Sequence, residues 1–276
     1  MRAAILGTGY VGQAVARHWQ GLGLQVTATT TRSERVGALQ AVADRVQVVR
    51  GDDEAGLRQL LVDHDLLLVS VGRGRGASYE ETYLRTAQTL ARVLPDIPSL
   101  SQLLFTSTCS VYGNHQGQWV REDTPPQPAT ANAKIMIETE QVLLERNRPD
   151  LKVCILRLGG IYGPERDLAR IFQRSAGSTR PGTGNSPSNW IHLDDIVGAI
   201  DFVRQHQLQG LYNLVQDEIP TIRALIDRVC HRHGLPAVTW DPSQPSSRSY
   251  NARIANQKIK AAGYALRHPS FDQLKD

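Results

Sequence analysis

The sequence predicts an α/β fold: a doubly wound parallel sheet followed by a small C-terminal lobe. Three observations carry this expectation. Short, near-continuously apolar runs alternate with helical stretches over the first 157 residues. A glycine turn, GTGYVG (7–12), joins the first apolar run to the first helical stretch. After residue 158 the texture changes to turn-rich segments carrying few apolar runs.

The expected strands are RAAIL (2–6), LQVTATT (24–30), VQVVR (46–50), LLLVSV (66–71), LLFT (103–106) and KVCIL (152–156). Helical patterns such as YVGQAVARHWQGLG (10–23) and YLRTAQTLARVL (83–94) lie between them. Apolar strands separated by helices imply a parallel sheet covered on both faces, and right-handed crossovers make the doubly wound topology the economical one. GGIYGPERD (159–167) reads as a loop, and SAGSTRPGTGNSPSN (175–189) as a mobile excursion. IHLDDIVGAIDFV (191–203) and LYNLV (211–215) return to a strand and helix pattern. One helix, a Pro-rich connector and a short final helix complete the chain. The expected division is therefore residues 1–158 as a dinucleotide-binding domain and 159–276 as a small substrate lobe, with 191–215 returning to the core.

The chain has 276 residues, 41% apolar and 21% charged, with a formal net charge of +4. That length buries a core without staples. The mild positive balance lacks the clustered basic stripe of a nucleic-acid binder, so no nucleic-acid partner is expected. Three widely spaced cysteines, Cys109, Cys154 and Cys230, form no CxxC pair, which argues against a disulfide framework or a metal site. The N-terminal apolar run is too short for a signal peptide, and no run of eighteen apolar residues exists. A cytoplasmic protein with no membrane partner is expected.

GTGYVG follows a strand and opens a helix, the context of a Rossmann-type phosphate turn. Gly7 permits the tight turn, Gly9 lets the backbone approach a pyrophosphate, and Gly12 lets helix and strand pack closely. Thr8, Tyr10 and Val11 supply the rest of the cradle at the helix N-terminus. An NAD binder carries an acid about 20 residues further on. This chain reads ATTTRSER (28–35) instead. The hydroxyls of Thr31 and Ser33 and the guanidinium of Arg32 suit a 2′-phosphate, so NADP(H) is expected over NAD(H). GDD (51–53) follows the third strand, where Asp52 meets an adenine amine or one of the two acids caps the next helix. Val71 and Gly72 open GRGRG (71–76 with the valine), where the backbone is expected near the adenosine, and Arg73 and Arg75 lie on the same loop.

FTSTCSVYG (105–113), TANAK (130–134), LRLGGIYGPE (156–165) and IHLDDIVGAI (191–200), in that order, resemble the extended short-chain dehydrogenase/reductase family over essentially the whole chain. The likeness is greatest to its atypical bacterial members, the NAD(P)-dependent epimerase/dehydratase-like and nucleotide-sugar epimerase-like proteins. The resemblance implies that Thr108 hydrogen-bonds the reacting oxygen and that Lys134 binds the nicotinamide ribose. It places Gly159 beside the nicotinamide and His192 at the base of a substrate cavity. The family's catalytic tyrosine is absent, because Thr130 occupies its position. The family's asparagine is also missing from YLRTAQTL.

Thr130 cannot take the tyrosine's part, since an aliphatic hydroxyl is a far weaker acid than a phenol of pKa near ~10. It is also too short to reach the phenol oxygen's place, and it reads equally as a helix N-cap. Tyr162 is the leading substitute acid, with His192 a proton shuttle, and both are expected to touch substrate together with Thr108. Two readings follow. One is an NADP(H)-dependent oxidoreductase or epimerase-like enzyme on a small molecule. The other is a non-catalytic NADP(H) sensor. A monomer or a homodimer fits either, and no metal is expected.

Overall fold

The computed structural model describes residues 1–74, 76–246, 248 and 250–271. Arg75 lies outside them. The elements run β1 (Arg2–Leu6), α1 (Tyr10–Gly21), β2 (Gln25–Thr30), α2 (Val36–Leu39), β3 (Arg45–Val48), α3 (Glu54–Leu61), β4 (Leu66–Val69), α4 (Arg85–Val93) and β5 (Gln102–Thr108). They continue with β6 (Asn114–Val120), α5 (Ala131–Leu144), β7 (Lys152–Leu158), β8 (Gly160–Tyr162), α6 (Leu168–Phe172), β9 (Thr179–Pro181) and β10 (Trp190–His192). Last come α7 (Leu193–Gln205), β11 (Gly210–Leu214), α8 (Ile222–Arg232), β12 (Thr239–Asp241), β13 (Asn251–Ile254) and α9 (Gln257–Ala261). One π-helical turn, Glu80–Leu84, leads into α4.

These elements form two compact units. The first comprises Met1–Thr108, Ala131–Arg157 and Val197–Tyr212. The second comprises Cys109–Thr130, Leu158–Ile196 and Asn213–Asp276. The division differs from a cut at residue 158. Cys109–Thr130 belongs to the second unit because β6 pairs with β13 there.

The first unit is built on a seven-stranded sheet of order β11-β7-β5-β4-β1-β2-β3. Strand β1 pairs in parallel with β2 on one side and β4 on the other, with Ala4 opposite Thr27 and Leu67. Order reverses at β1, as in a doubly wound Rossmann-type sheet. All four residues of β4 and Ala3 to Leu6 of β1 are buried, the continuous apolar signature of a strand covered on both faces. Helix α1 buries Val15, Ala16 and Trp19. The Trp19 indole donates to Asp201 Oδ1 on α7 at 3.2 Å, and Arg204 Nε donates to the same oxygen at 2.7 Å. A buried indole N–H thus meets a carboxylate whose charge is balanced.

The second unit holds three two-stranded pairs: β8 with β10, β9 with β12, and β6 with β13. The turn-rich stretch 175–189, expected to be an excursion, thus contains β9, since three paired residues suffice where a partner strand is supplied from far along the chain. Its core gathers Tyr162, Leu168, Phe172, Leu225, Ile226, Val229 and Phe271. Buried amides tie it together. Asn213 Oδ1 accepts from the Tyr112 hydroxyl at 2.8 Å and its Nδ2 donates to the Ala255 carbonyl at 3.0 Å. Asn189 Nδ2 donates to the Ala252 carbonyl, and its Oδ1 accepts from the Ile254 N–H.

His64 generates a pH prediction. Its ring is buried, with Nε2 2.9 Å from Thr27 Oγ1, and burial holds its pKa below the usual 6.5. The unfolded chain therefore binds the proton more readily. The stabilising contribution is present above about pH 6.5 and is lost as pH falls through the lowered folded value, with a limiting slope of about 1.4 kcal/mol per pH unit. Urea unfolding between pH 7 and pH 5 should show a shallower loss of stability in His64→Gln than in the native protein. Identical slopes would contradict this.

Candidate functional site

Two glycines of the turn between β1 and α1 are held by steric constraints. Gly7 has φ +91°, and a Cβ there would stand 2.6 Å from Val71 Cα. A Cβ on Gly12 would stand 2.6 Å from the Gly7 carbonyl oxygen. Gly9 has nothing within 4 Å of a would-be Cβ, and it occupies the N-cap of α1 with no side-chain cap hydrogen bond. The middle of the turn is thus open to a close-approaching anion at a helix N-terminus, where amides and dipole favour one. Buried Thr8 clamps the turn to β2. Its Oγ1 accepts from the Thr29 N–H at 3.0 Å, while Gly7 N–H donates to Thr29 Oγ1 at 2.9 Å.

At the end of β2, Thr31, Arg32 and Ser33 are exposed. Thr30 Oγ1 accepts from the Arg32 N–H at 3.1 Å and turns the chain outward. The Arg32 guanidinium reaches Glu34 at 3.7 Å while 61% exposed, a loose surface pair of small worth. Arg35 is better fixed: its Nη2 donates to the Thr8 carbonyl at 3.0 Å, which places a guanidinium beside the glycine turn. Sequence reasoning assigned Arg35 no contact, because nothing local shows that it folds back over residue 8.

The two acids of GDD separate in role. Asp53 caps α3, accepting from the Gly56 N–H at 3.0 Å. Asp52 accepts from Arg50 Nε and Nη2 at 2.9 and 3.1 Å, and this arginine holds its carboxyl below the ordinary carboxylate range. Beyond β4, Val71 is half-buried and forms the wall against Gly7, while Gly72 is exposed. Arg73 lies 5.9 Å from the Tyr79 ring, which neighbours Tyr83 at 5.0 Å on the π-helical turn.

Thr108, half-buried, ends β5, and Lys134, exposed, lies in the first turn of α5. Both belong to the first unit. Beneath them lies a buried pair that sequence reasoning missed. Arg157 on β7 donates to both oxygens of Glu140 on α5, with Nη2 to Oε2 at 2.7 Å, and the side chains are 5% and 2% exposed. The Ser107 hydroxyl donates to Glu140 Oε1 at 2.5 Å. The pair joins the strand that carries Thr108 to the helix that carries Lys134. Thr130 precedes α5 directly, at the N-cap position, and is exposed.

Gly159, Tyr162 and His192 belong to the second unit. Gly159 is tight, with a would-be Cβ 3.0 Å from the Asn189 carbonyl oxygen. Tyr162 is 1% exposed, and its hydroxyl donates to Gln216 Oε1 at 3.0 Å. Its ring meets His192 edge-on at 5.0 Å. His192 Nδ1 accepts from the Asp194 N–H at 3.2 Å, and burial, then the charge of His268, lower its pKa. The His192 and His268 rings lie 3.8 Å apart, and Asp194 Oδ2 stands 3.5 and 3.2 Å from a nitrogen of each. His268, near the chain's end, escaped notice because 76 residues of sequence hide its proximity to His192. None of the helices among the described residues is long and apolar enough to cross a membrane.

The model of the NAD-dependent epimerase/dehydratase family matches residues 4–214. Protein YeeZ of Escherichia coli K12 is 30% identical over 278 residues, covering 97% of this chain and 96% of YeeZ. The fold is shared with UDP-glucose 4-epimerase of Thermus thermophilus, solved in complex with NAD, at TM-score 0.79 and 20% identity over 97% of this chain and 94% of that one. It is also shared with a double mutant of DesIV, the dTDP-glucose 4,6-dehydratase of Streptomyces venezuelae solved with NAD, at TM-score 0.82 and 21% identity over 99% and 94%.

Gly12→Ala tests the turn. The added Cβ meets backbone oxygen, which cannot swing aside as a side chain would, so the turn must open. Binding of a nicotinamide dinucleotide, followed by calorimetry, should weaken by at least about tenfold, or 1.4 kcal/mol. An unchanged affinity would show that the turn does not hold the ligand.

Proposed function

This chain belongs to the NAD-dependent epimerase/dehydratase family, and from that premise we propose that it is an NADP(H)-binding oxidoreductase or epimerase-like enzyme acting on a small anionic molecule. The observation that carries the reading is the pair of guanidiniums after β2. Arg35 is anchored on the Thr8 carbonyl, and Arg32 is exposed on the loop where an NAD binder keeps an acid. Two arginines and the Ser33 hydroxyl provide donors for a 2′-phosphate. The open face of Gly9 and the uncapped start of α1 fit the pyrophosphate. The cofactor's nicotinamide supplies the hydride chemistry.

Thr108 donates a hydrogen bond to the reacting oxygen of the substrate, and Lys134 donates to ribose hydroxyls and brings a positive charge. Thr130 moves no proton. Tyr162 serves as the proton donor, with its hydroxyl oriented by Gln216. His192 contacts substrate as a neutral ring. Asp52, Val71, Gly72 and Gly159 line the cofactor, through backbone approach at the glycines. A substrate carrying phosphate is supported by the second unit's own arginines. Among the described residues, no carboxylate pairs with Arg180, Arg248 or Arg253. Arg180 and Arg223 lie over the Trp240 ring at 5.6 and 5.4 Å. Burial and the nearby Arg248 lower the Arg180 pKa. The three cysteines are buried.

The reaction is tested by following NADPH oxidation over a panel of carbonyl compounds that includes nucleotide sugars. A substrate should emerge, and on it Thr108→Ala should lower kcat by about 10²–10³-fold, as for removal of one oxyanion donor, with NADPH affinity unchanged. Tyr162→Phe should abolish turnover. Tight NADPH binding with no turnover on any compound, and none gained in Thr130→Tyr, would overturn the enzyme reading in favour of an NADP(H) sensor.

A further inference from the structure

We propose that His192, Asp194 and His268 form a binding site for a divalent transition metal of the zinc class. The three residues come from two places in the second unit: the end of β10 and the start of α7, and the segment after α9. Their ligand atoms all lie within 4.8 Å of one another. The Asp194 Oδ2 oxygen stands 3.5 Å from His192 Nδ1 and 3.2 Å from His268 Nε2. Ligands about 2.0–2.1 Å from one tetrahedral zinc stand about 3.3 Å from each other, so the two carboxylate–imidazole spacings match a common ion, and the two imidazole nitrogens lie within 4.8 Å of each other. Two imidazoles and one carboxylate make a donor set suited to Zn, Co, Ni or Cu rather than to Mg or Ca.

Three further features separate this group from a chance surface cluster. First, the tautomer is arranged. The Asp194 N–H donates to His192 Nδ1 at 3.2 Å, which keeps a lone pair on that nitrogen and the proton on Nε2. Second, the backbone that carries His268 is pinned. Fully buried Asp195 accepts from the Arg267 N–H at 2.6 Å and from the His268 N–H at 3.0 Å, and the Tyr264 hydroxyl donates to the Asp195 carbonyl at 2.8 Å. Ligands held by an outer shell of this kind keep their geometry when the ion leaves. Third, exposure is graded: the His192 side chain is 13% exposed, His268 34% and Asp194 49%. An ion enters from the Asp194 side and keeps water or a substrate oxygen in its remaining position, the open arrangement with three protein ligands.

The inference does not rest on the cofactor reading, since all ligands belong to one unit and no dinucleotide takes part. The test uses the whole chain without a tag, stripped with EDTA, dialysed, and titrated with ZnCl2 by calorimetry and with CoCl2 by visible absorption. The expected result is one ion per chain with Kd on the order of 1 µM or tighter, and ligand-field bands of cobalt bound by nitrogen and oxygen. His268→Ala and Asp194→Asn should each weaken zinc binding by at least about tenfold, the least that even an outer-shell partner is worth. Circular dichroism reports whether His268→Ala folds, and Asp194→Asn, at an exposed position, carries the test where it does not. No stoichiometric zinc binding in the native protein, or binding that survives the substitutions, would overturn the assignment.

Discussion

The carboxylate of Glu140 and the guanidinium of Arg157 meet deep inside the first unit, with the Ser107 hydroxyl completing the carboxylate's coordination. These two charges bind α5 to β7 and to the end of β5, three elements distant in sequence. Each carries or leads to a proposed functional residue: Lys134, Gly159 and Thr108. Replacing both partners by apolar groups can be energetically neutral, whereas removing one leaves a buried, uncompensated charge at a cost of about 3–5 kcal/mol. That is a large share of the roughly 5–15 kcal/mol by which a domain is typically stable. The pair therefore specifies the arrangement of the elements more than it adds to their stability. An unmatched alternative packing would strand one of the charges.

The cofactor end is shaped by sterics and by a second set of charges. Gly7 and Gly12 hold the backbone of β1, α1 and the start of the β4 loop within contact distance, where no Cβ fits. Gly9 faces open space, so an anion can reach the helix's first N–H groups. Arg35 then lies beside that turn through a contact to the Thr8 carbonyl, and Arg32 extends from the chain that Thr30 turns outward. Positive charge thus clusters on one flank of the turn, while Asp52 and Asp53 are each occupied, one by Arg50 and one as the α3 cap.

Much of this was legible in the sequence, for identifiable reasons. Periodicity gave β1, β2, β4, β5 and β7 within a few residues, because strands buried on both faces are continuously apolar. The spacing of Gly7, Gly9 and Gly12 gave the turn, because Gly7 and Gly12 sit where no Cβ fits. Long-range pairing stayed invisible. Nothing in NHQGQWV or NARI marks β6 and β13 as partners, since each is short and half polar. Glu140 reads as an ordinary helix acid, and only the fold brings Arg157 to it. His268 lies 76 residues from His192, and Asp195, which brings the two together, passes for a helix-start acid in IHLDDIVG.

We propose that the flank of Arg32 and Arg35 selects the phosphorylated dinucleotide. Calorimetric titration of the native protein with NADPH and NADH, side by side at one ionic strength, tests it most directly. NADPH should bind at least about tenfold tighter, a preference of 1.4 kcal/mol or more, which is lost when both arginines are replaced by alanine. NADH binding as tightly as NADPH, or more tightly, would contradict it.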